Sequence, residues 1–369
     1  MFNLKMSDFS ESVAELSCRY NFDSDNFDFT AKPTKIGSSD EKFFVEWNRS
    51  EYSTVGLYEF PNSYLLPRKG GMDKRHSILD SNRRPVDDFS YGIDDLNKAG
   101  IIDHTELAVN IQCPILDFGD VSLFVMSSPQ SHQNHYHWHF FYMPILIYLD
   151  QIKKRKNSFI LAPRLSTMQR EILERAGLNL KKVIEYEGAV AIKAKSILVP
   201  STSTFIPRII PQMLPIYNKL ALSTVKNSSD VIAKKRVYIS RLDAPQRRII
   251  NESNLISLLK EYDFEVVTFS GLNFSSQVEL IKDAEIVIAP HGAGLTNLVY
   301  AKNLKVLYEL FSSEWLHGCY RDLALCKGIK YYYSIFSCDD NVSTITRESD
   351  YSIDLEVVES FLKTLQLNN

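Results

Sequence analysis

The sequence predicts an α/β protein made of two Rossmann-like domains facing a cleft, the first carrying an extra β-rich segment. Three observations predict it. At 369 residues the chain exceeds one ordinary core and suits two of comparable size. Residues 235–310 alternate short apolar runs with amphipathic stretches, which implies a parallel sheet with right-handed crossovers. One of those runs, Glu285–Pro290, passes straight into a small-residue turn that opens a helix, the place where such sheets bind ligands.

Taken in order, residues 30–125 hold short β-like runs, KFFVEW, ELAVNIQCPIL and VSLFVM, separated by Gly, Pro, Asp and Asn clusters. The polar loop SSPQSHQN leads into an aromatic, apolar stretch reaching Leu149 that suits a buried helix, with Pro144 a kink or an early turn. Residues 157–200 then alternate: SFILAP as a strand, STMQREILERAG as a helix ending at Gly177, KVIEY and SILVP as strands. A proline-bearing stretch with a helix-like LPIYNKLALSTVK follows. In the second half KRVYISR, FEVVTF, EIVIAP and KVLYEL are strands, interleaved with helices over NESNLISLLKEY, SSQVELIKDA and about Gly294–Tyr300. The expected division is an N-terminal domain over 1–205, with 1–110 its β-rich part, a connection over 206–234, a Rossmann-like domain over 235–350 and a C-terminal helix within 351–369. That helix, roughly Leu355–Leu365, could pack back on the first domain.

Composition narrows the function classes. Hydrophobic residues at 44% and charged residues at 24% describe an ordinary water-soluble globular protein. A net charge of -3 supplies no broad electrostatic reason to bind nucleic acid. Cys18, Cys113, Cys319, Cys326 and Cys338 are odd in number and lack CxxC spacing, which speaks against a disulfide framework or zinc ribbon and for thiols in a reducing compartment. The N-terminus lacks the apolar run of an export signal, and Phe140–Leu149 falls well short of the ~20 residues of a spanning helix. The expectation is a cytoplasmic protein with at most peripheral membrane contact, for which Lys153–Lys156 is the basic run that could meet anionic lipid.

The sharpest chemical signal is EIVIAPHGAGLTN, Glu285–Asn297. Gly292, Ala293 and Gly294 let a phosphate approach the backbone, while amides at the helix start favour an anion. His291, Thr296 and Asn297 add side-chain donors. On the same sheet edge the strand carrying Ser240 ends in Arg241, followed by Arg247 and Arg248, guanidinium groups that can grip a diphosphate and offset charge as it departs. Asn251 and Glu252 open the next helix and can orient the arginines. Glu309, near the end of KVLYEL, is a carboxylate suited to ribose hydroxyls. In the first half His132, His135, His137 and His139 crowd one short segment. If it is helical, His135 and His139 share a face that His137 does not, and no HExxH acid accompanies them, so the spacing argues against a metal.

With these residues in place, the chain resembles glycosyltransferase family 61. The likeness covers roughly Asn134 to Leu310 and is carried by YISRLDAPQRRIINE, by SSQVELIKDAEIVIAPHGAGLTNLVYA and by the strand bearing Glu309. It implies a GT-B fold, with the first domain on the acceptor side and the second binding a nucleotide sugar. It implies donor binding by Arg241, Arg248, His291, Gly292, Ala293, Gly294, Thr296 and Asn297, with Glu309 near the ribose. Asn134, Tyr136, His137, Trp138 and Pro144 resemble the family's N-domain motif and make His137 a site candidate. Two departures stand out: Phe141 occupies the position where the family often has an acid, and Ser276–Gln277 replaces its Glu-Gln pair.

The expected activity is inverting, metal-independent transfer from a nucleoside diphosphate sugar, with UDP foremost, to a glycan or lipid-linked glycan in surface polysaccharide assembly. No cofactor is expected beyond the substrates. The base is sought among His137, His139 and the carboxylates Asp117 and Asp120. Rival readings are an epimerase or hydrolase, opposed by the missing GxGxxG and acidic cluster, and a sugar-nucleotide or glycan-binding protein without turnover.

Overall fold

The computed structural model describes residues 34–35, 57–66, 77–86, 93–100, 102–104, 108–126, 131–186, 190–200, 211–224, 235–338 and 346–365. The expected strand KFFVEW lies outside them. The described residues divide into two compact units, the first running to Ile216 and the second from Tyr217, with Thr34–Lys35 belonging to the second.

In the first unit, four parallel strands form the heart of a mixed sheet: Ala191–Pro200, Ser122–Val125, Ser158–Ala162 and Val183–Glu185, in that spatial order. Leu57–Leu65 extends it antiparallel beside Ala191–Pro200. Alternating residues such as Phe60, Leu123, Leu161, Ile192 and Ile197 close its core. The run ELAVNIQCPIL, expected as one β segment, is two strands, Val109–Ile111 and Ile115–Asp117, because Pro114 lies between them and has no N–H for a ladder. Helix Thr167–Arg175 begins with a capping box between Ser166 and Gln169, and Gly177, at φ 93°, ends that helical segment as expected.

The aromatic stretch is helical but not one regular helix. A turn at His135–His137 passes into a π-helical Trp138–Tyr142, a 3-10 segment Met143–Tyr148 and an α-helical Leu149–Lys154. Pro144 falls in the first turn of the 3-10 segment, where its missing N–H costs nothing. Trp138 through Leu146 is buried all round, so packing outweighs the local changes of pitch.

The second unit is a doubly wound parallel sheet. Its strands are β1 (Thr34–Lys35), β2 (Lys235–Ile239), β3 (Phe264–Val267), β4 (Ala284–Pro290), β5 (Val306–Ser312) and β6 (Lys330–Phe336), in the spatial order β1-β6-β5-β4-β2-β3. Helices α1 (Glu252–Glu261), α2 (Phe274–Ile281), the 3-10 helix Ala293–Tyr300 and α3 (Cys319–Cys326) form the crossovers. The sequence reading missed α3 and β6. Winding reverses between β2 and β4, which makes the gap outside their C-terminal ends the topological switch point. Strand β5 is buried along its whole length, as expected for a parallel strand covered on both faces.

Helix α4 (Leu355–Thr364) corrects one expectation. It packs on the second unit's own sheet, with the Phe361 ring 4.1 Å from Tyr308 and 5.0 Å from Tyr332, centroid to centroid. Its amphipathic face is met by the aromatic surface of β5 and β6. Among the described residues no helix is long and apolar enough to cross a membrane, and Cys113, Cys319, Cys326 and Cys338 form no disulfide.

Candidate active site

The switch point brings Arg241 and the His291–Gly294 turn together. A Cβ built on Gly292 would lie 2.0 Å from Arg241 Nη1 and 3.1 Å from its Cζ, so the guanidinium rests directly on the glycine backbone. A larger residue there would displace the guanidinium. Gly294 is similarly close-packed, its Cβ position lying 3.2 Å from Ile239 Cγ2. The 3-10 helix starts at Ala293, and the leading amides of a helix have no acceptor within it. A fixed positive charge and a helix start thus share one small space, a combination that attracts anions.

Glu252 holds this arrangement from below. Its Oε1 accepts hydrogen bonds from the Tyr238 and Ser240 hydroxyls at 2.8 Å each and from the Arg241 amide at 3.2 Å. The residue is buried, so its charge acts on the strand end and not on solvent. Arg241 Nη2 also donates to the Gln246 carbonyl at 2.9 Å. The expectation that Glu252 orients an arginine fits this geometry, whereas Asn251 does something else. Its side chain clamps the backbone of Ile353 with bonds of 2.7 and 2.9 Å, tying α1 to the segment before α4.

His291 and Glu309 meet across β4 and β5. His291 Nδ1 lies 2.6 Å from Glu309 Oε1, and Glu309 Oε2 accepts from the Tyr331 hydroxyl at 2.6 Å. Glu309 is 0% exposed. Both its oxygens meet partners within the protein, so the geometry lends no direct support to the reading that it accepts ribose hydroxyls. Thr296 and Asn297 are likewise buried, Thr296 Oγ1 meeting the Tyr320 hydroxyl at 3.1 Å and Asn297 Nδ2 donating to Gln277 Oε1 at 3.1 Å. These contacts tie the 3-10 helix to Tyr320 and to α2.

Of the remaining arginines, Arg247 lies beside Arg241, whereas Arg248 is turned to Asp350. Burial and the neighbouring Arg241 charge push the Arg247 guanidinium below its usual range, and it lies over the Trp315 ring at 5.5 Å. Arg247 also adopts φ 52°, a left-handed conformation uncommon outside glycine and asparagine. Arg248 is exposed and committed to Asp350, with contacts of 2.9 and 3.1 Å. The sequence reading passed over Trp315, His317 and Tyr331, which lie in loops and in the unforeseen β6. His317 sits 6.3 Å from His291, ring to ring, and burial followed by the His291 charge holds it below the usual imidazole range. Buried atoms without a hydrogen-bond partner in the protein include Arg241 Nε, Arg247 Nε, Glu252 Oε2 and His317 Nδ1. Such atoms are costly to bury unless solvent or another polar group completes their bonding.

In the first unit the four candidate bases separate. His139 is 0% exposed, with Nδ1 2.8 Å from the His135 carbonyl oxygen, and burial followed by His135 drives its pKa well below the ordinary value. A neutral imidazole sealed in a core takes no proton from an acceptor. Asp117 is exposed and bound to Lys193 at 2.8 Å, which together with the Gly119 amide lowers its pKa. Asp120 is paired in the same way with Lys195. His137 is half-buried, at the first turn capped by Asn134, and remains the candidate. Among the described residues no three His, Cys, Asp or Glu side chains converge as metal ligands.

Comparison with known proteins places this geometry. The chain is 35% identical over 97 residues to an EGF domain-specific O-linked N-acetylglucosamine transferase of Drosophila melanogaster, covering 26% of this chain and 18% of that protein. The like-named protein of Xenopus laevis is 31% identical over 148 residues, 36% of this chain and 27% of the relative. The chain thus spans about a fifth to a quarter of the length of these relatives. The Glycosyltransferase 61 family profile matches residues 122–307, half of the chain, from the central strand of the first unit through β4 and into β5. With the family profile over that span, which includes the turn at the switch point, the chain belongs to glycosyltransferase family 61.

Proposed function

We propose that the chain transfers a sugar from a nucleoside diphosphate sugar to a glycan acceptor with inversion and without a metal, its two units arranged as in a GT-B enzyme. The observation that carries this reading is the Arg241 guanidinium seated on Gly292 at the start of the 3-10 helix. Inverting transfer needs the leaving diphosphate stabilised as the sugar–oxygen bond breaks. Arg241, Arg247 and the amides after His291 are built for that charge, and preorganised donors of this kind are worth on the order of 3 kcal/mol each. His137 is the side chain to which we assign removal of the acceptor proton. The relatives are named for N-acetylglucosamine transfer, which makes that sugar the first to test.

The test is calorimetry of the full chain in EDTA against UDP, GDP, CMP and their sugar conjugates, repeated with Arg241→Ala. A diphosphate should bind without metal and lose roughly tenfold or more in affinity in the variant. Failure of every nucleotide to bind would overturn the donor-site reading, and binding without transfer to any glycan would favour a recognition protein.

A further inference from the structure

A carboxylate buried in the middle of a parallel sheet costs several kcal/mol unless its charge and lone pairs are answered. Glu309 meets that condition through His291 and Tyr331, with contacts of 2.6 Å each. The imidazole is also held on its faces, stacked on Phe311 at 5.1 Å and 22° and flanked by Tyr320 at 5.5 Å. Arg241 sits on the next residue, Gly292, and His317 lies 6.3 Å from the ring. With Arg241 as the neighbouring cation, Glu309 is the carboxylate in contact with the imidazole.

The two nitrogens of an imidazole point to opposite sides of the ring, so an Nδ1 held against Glu309 turns Nε2 away from the buried carboxylate. We propose that Glu309 is a positioning residue that acts on the sugar donor only through His291. It holds the ring with Nδ1–H on its carboxylate, so that Nε2–H donates to the donor's diphosphate while the carboxylate balances the ring's charge. Carboxylate–histidine pairs fix ring orientation and tautomer in the same way elsewhere. Tyr331 completes the relay by occupying the other carboxylate oxygen. The inference rests on the donor-site reading above, and replaces ribose recognition by Glu309 with diphosphate recognition one residue removed.

Ribose hydroxyls discriminate the two roles. Affinities of UDP, 2′-deoxy-UDP and 3′-deoxy-UDP are measured by calorimetry for the full-length wild type, Glu309→Gln, Glu309→Leu, His291→Ala and the double variant. A positioning role predicts that Glu309→Leu weakens all three ligands by the same factor, about ten- to a hundredfold. It also predicts no further loss on adding His291→Ala, and partial rescue by Glu309→Gln, whose amide oxygen can still accept Nδ1–H. Long-range proton–nitrogen spectra of the imidazoles in the UDP-bound wild type should show His291 protonated at both Nδ1 and Nε2, a measurement independent of whether any variant folds. A loss that vanishes with the deoxy ligands, additive losses, or a His291 unprotonated at either nitrogen would each overturn the proposal while leaving the donor site standing. Absence of nucleotide binding to the wild type would instead remove the donor site, and the donor role of His291 with it.

Discussion

Gly292 shows how a single missing side chain organises the site. Its backbone is extended and unstrained, so a larger residue is opposed by contact and not by conformation: the added carbon would collide with Arg241 Nη1 at 2.0 Å. Gly292→Ala should therefore push the guanidinium off the helix start and weaken UDP binding nearly as much as Arg241→Ala, with the double variant no worse than either. Calorimetry on the three variants checks this. Arg248→Ala provides the contrast, since its guanidinium is exposed and already engaged by Asp350. Exposed pairs are worth about 0–1 kcal/mol, and donor affinity should stay within roughly threefold. The sequence named Arg241, Arg247 and Arg248 together because spacing alone cannot tell a guanidinium aimed at a ligand from one folded onto a neighbouring acid. Asp350, on which that distinction turns, is a hundred positions away along the chain.

The 3-10 helix Ala293–Tyr300 is fastened at its far end by Lys327, whose ammonium donates to the Leu298 and Val299 carbonyls at 3.0 Å. Carbonyls at a helix C-terminus welcome a cation, but burial pushes this ammonium down to about 8. The folded state then binds its proton less readily than the unfolded chain. Between that value and the ordinary lysine range the unfolded chain holds more protons, so this group's contribution makes stability rise with pH across the window. Below it, the cost is fully present. The wild-type-minus-Lys327→Met difference in unfolding free energy should rise from about pH 8 toward the ordinary lysine range and be level below it, measured by denaturant titration at several pH values. The helix itself was visible in the sequence from its small-residue start and apolar run. Its 3-10 pitch and its fastening were not, because Lys327 follows α3, an element that short segments and a cysteine-rich face concealed from periodicity.

For this member of family 61 the assignments divide between its two units: the proposed anion site belongs to the second, the proposed base to the first. His137→Ala should consequently leave UDP affinity within about threefold while lowering the transfer rate by roughly a hundredfold or more. Calorimetry and a radiolabelled-sugar transfer assay on the same preparation separate the two. Equal loss of binding and rate would withdraw the assignment. Local pattern along the chain was enough for the α/β class, the parallel second sheet and the HGAG turn, because strand period, glycine placement and helix starts are written over a few adjacent residues. Tertiary structure alone decided which of the polar residues are buried. Glu309, Thr296, Asn297 and His139 carry the chemistry of a site yet are enclosed, because sheet and helix packing surrounds each with partners that no local pattern can identify.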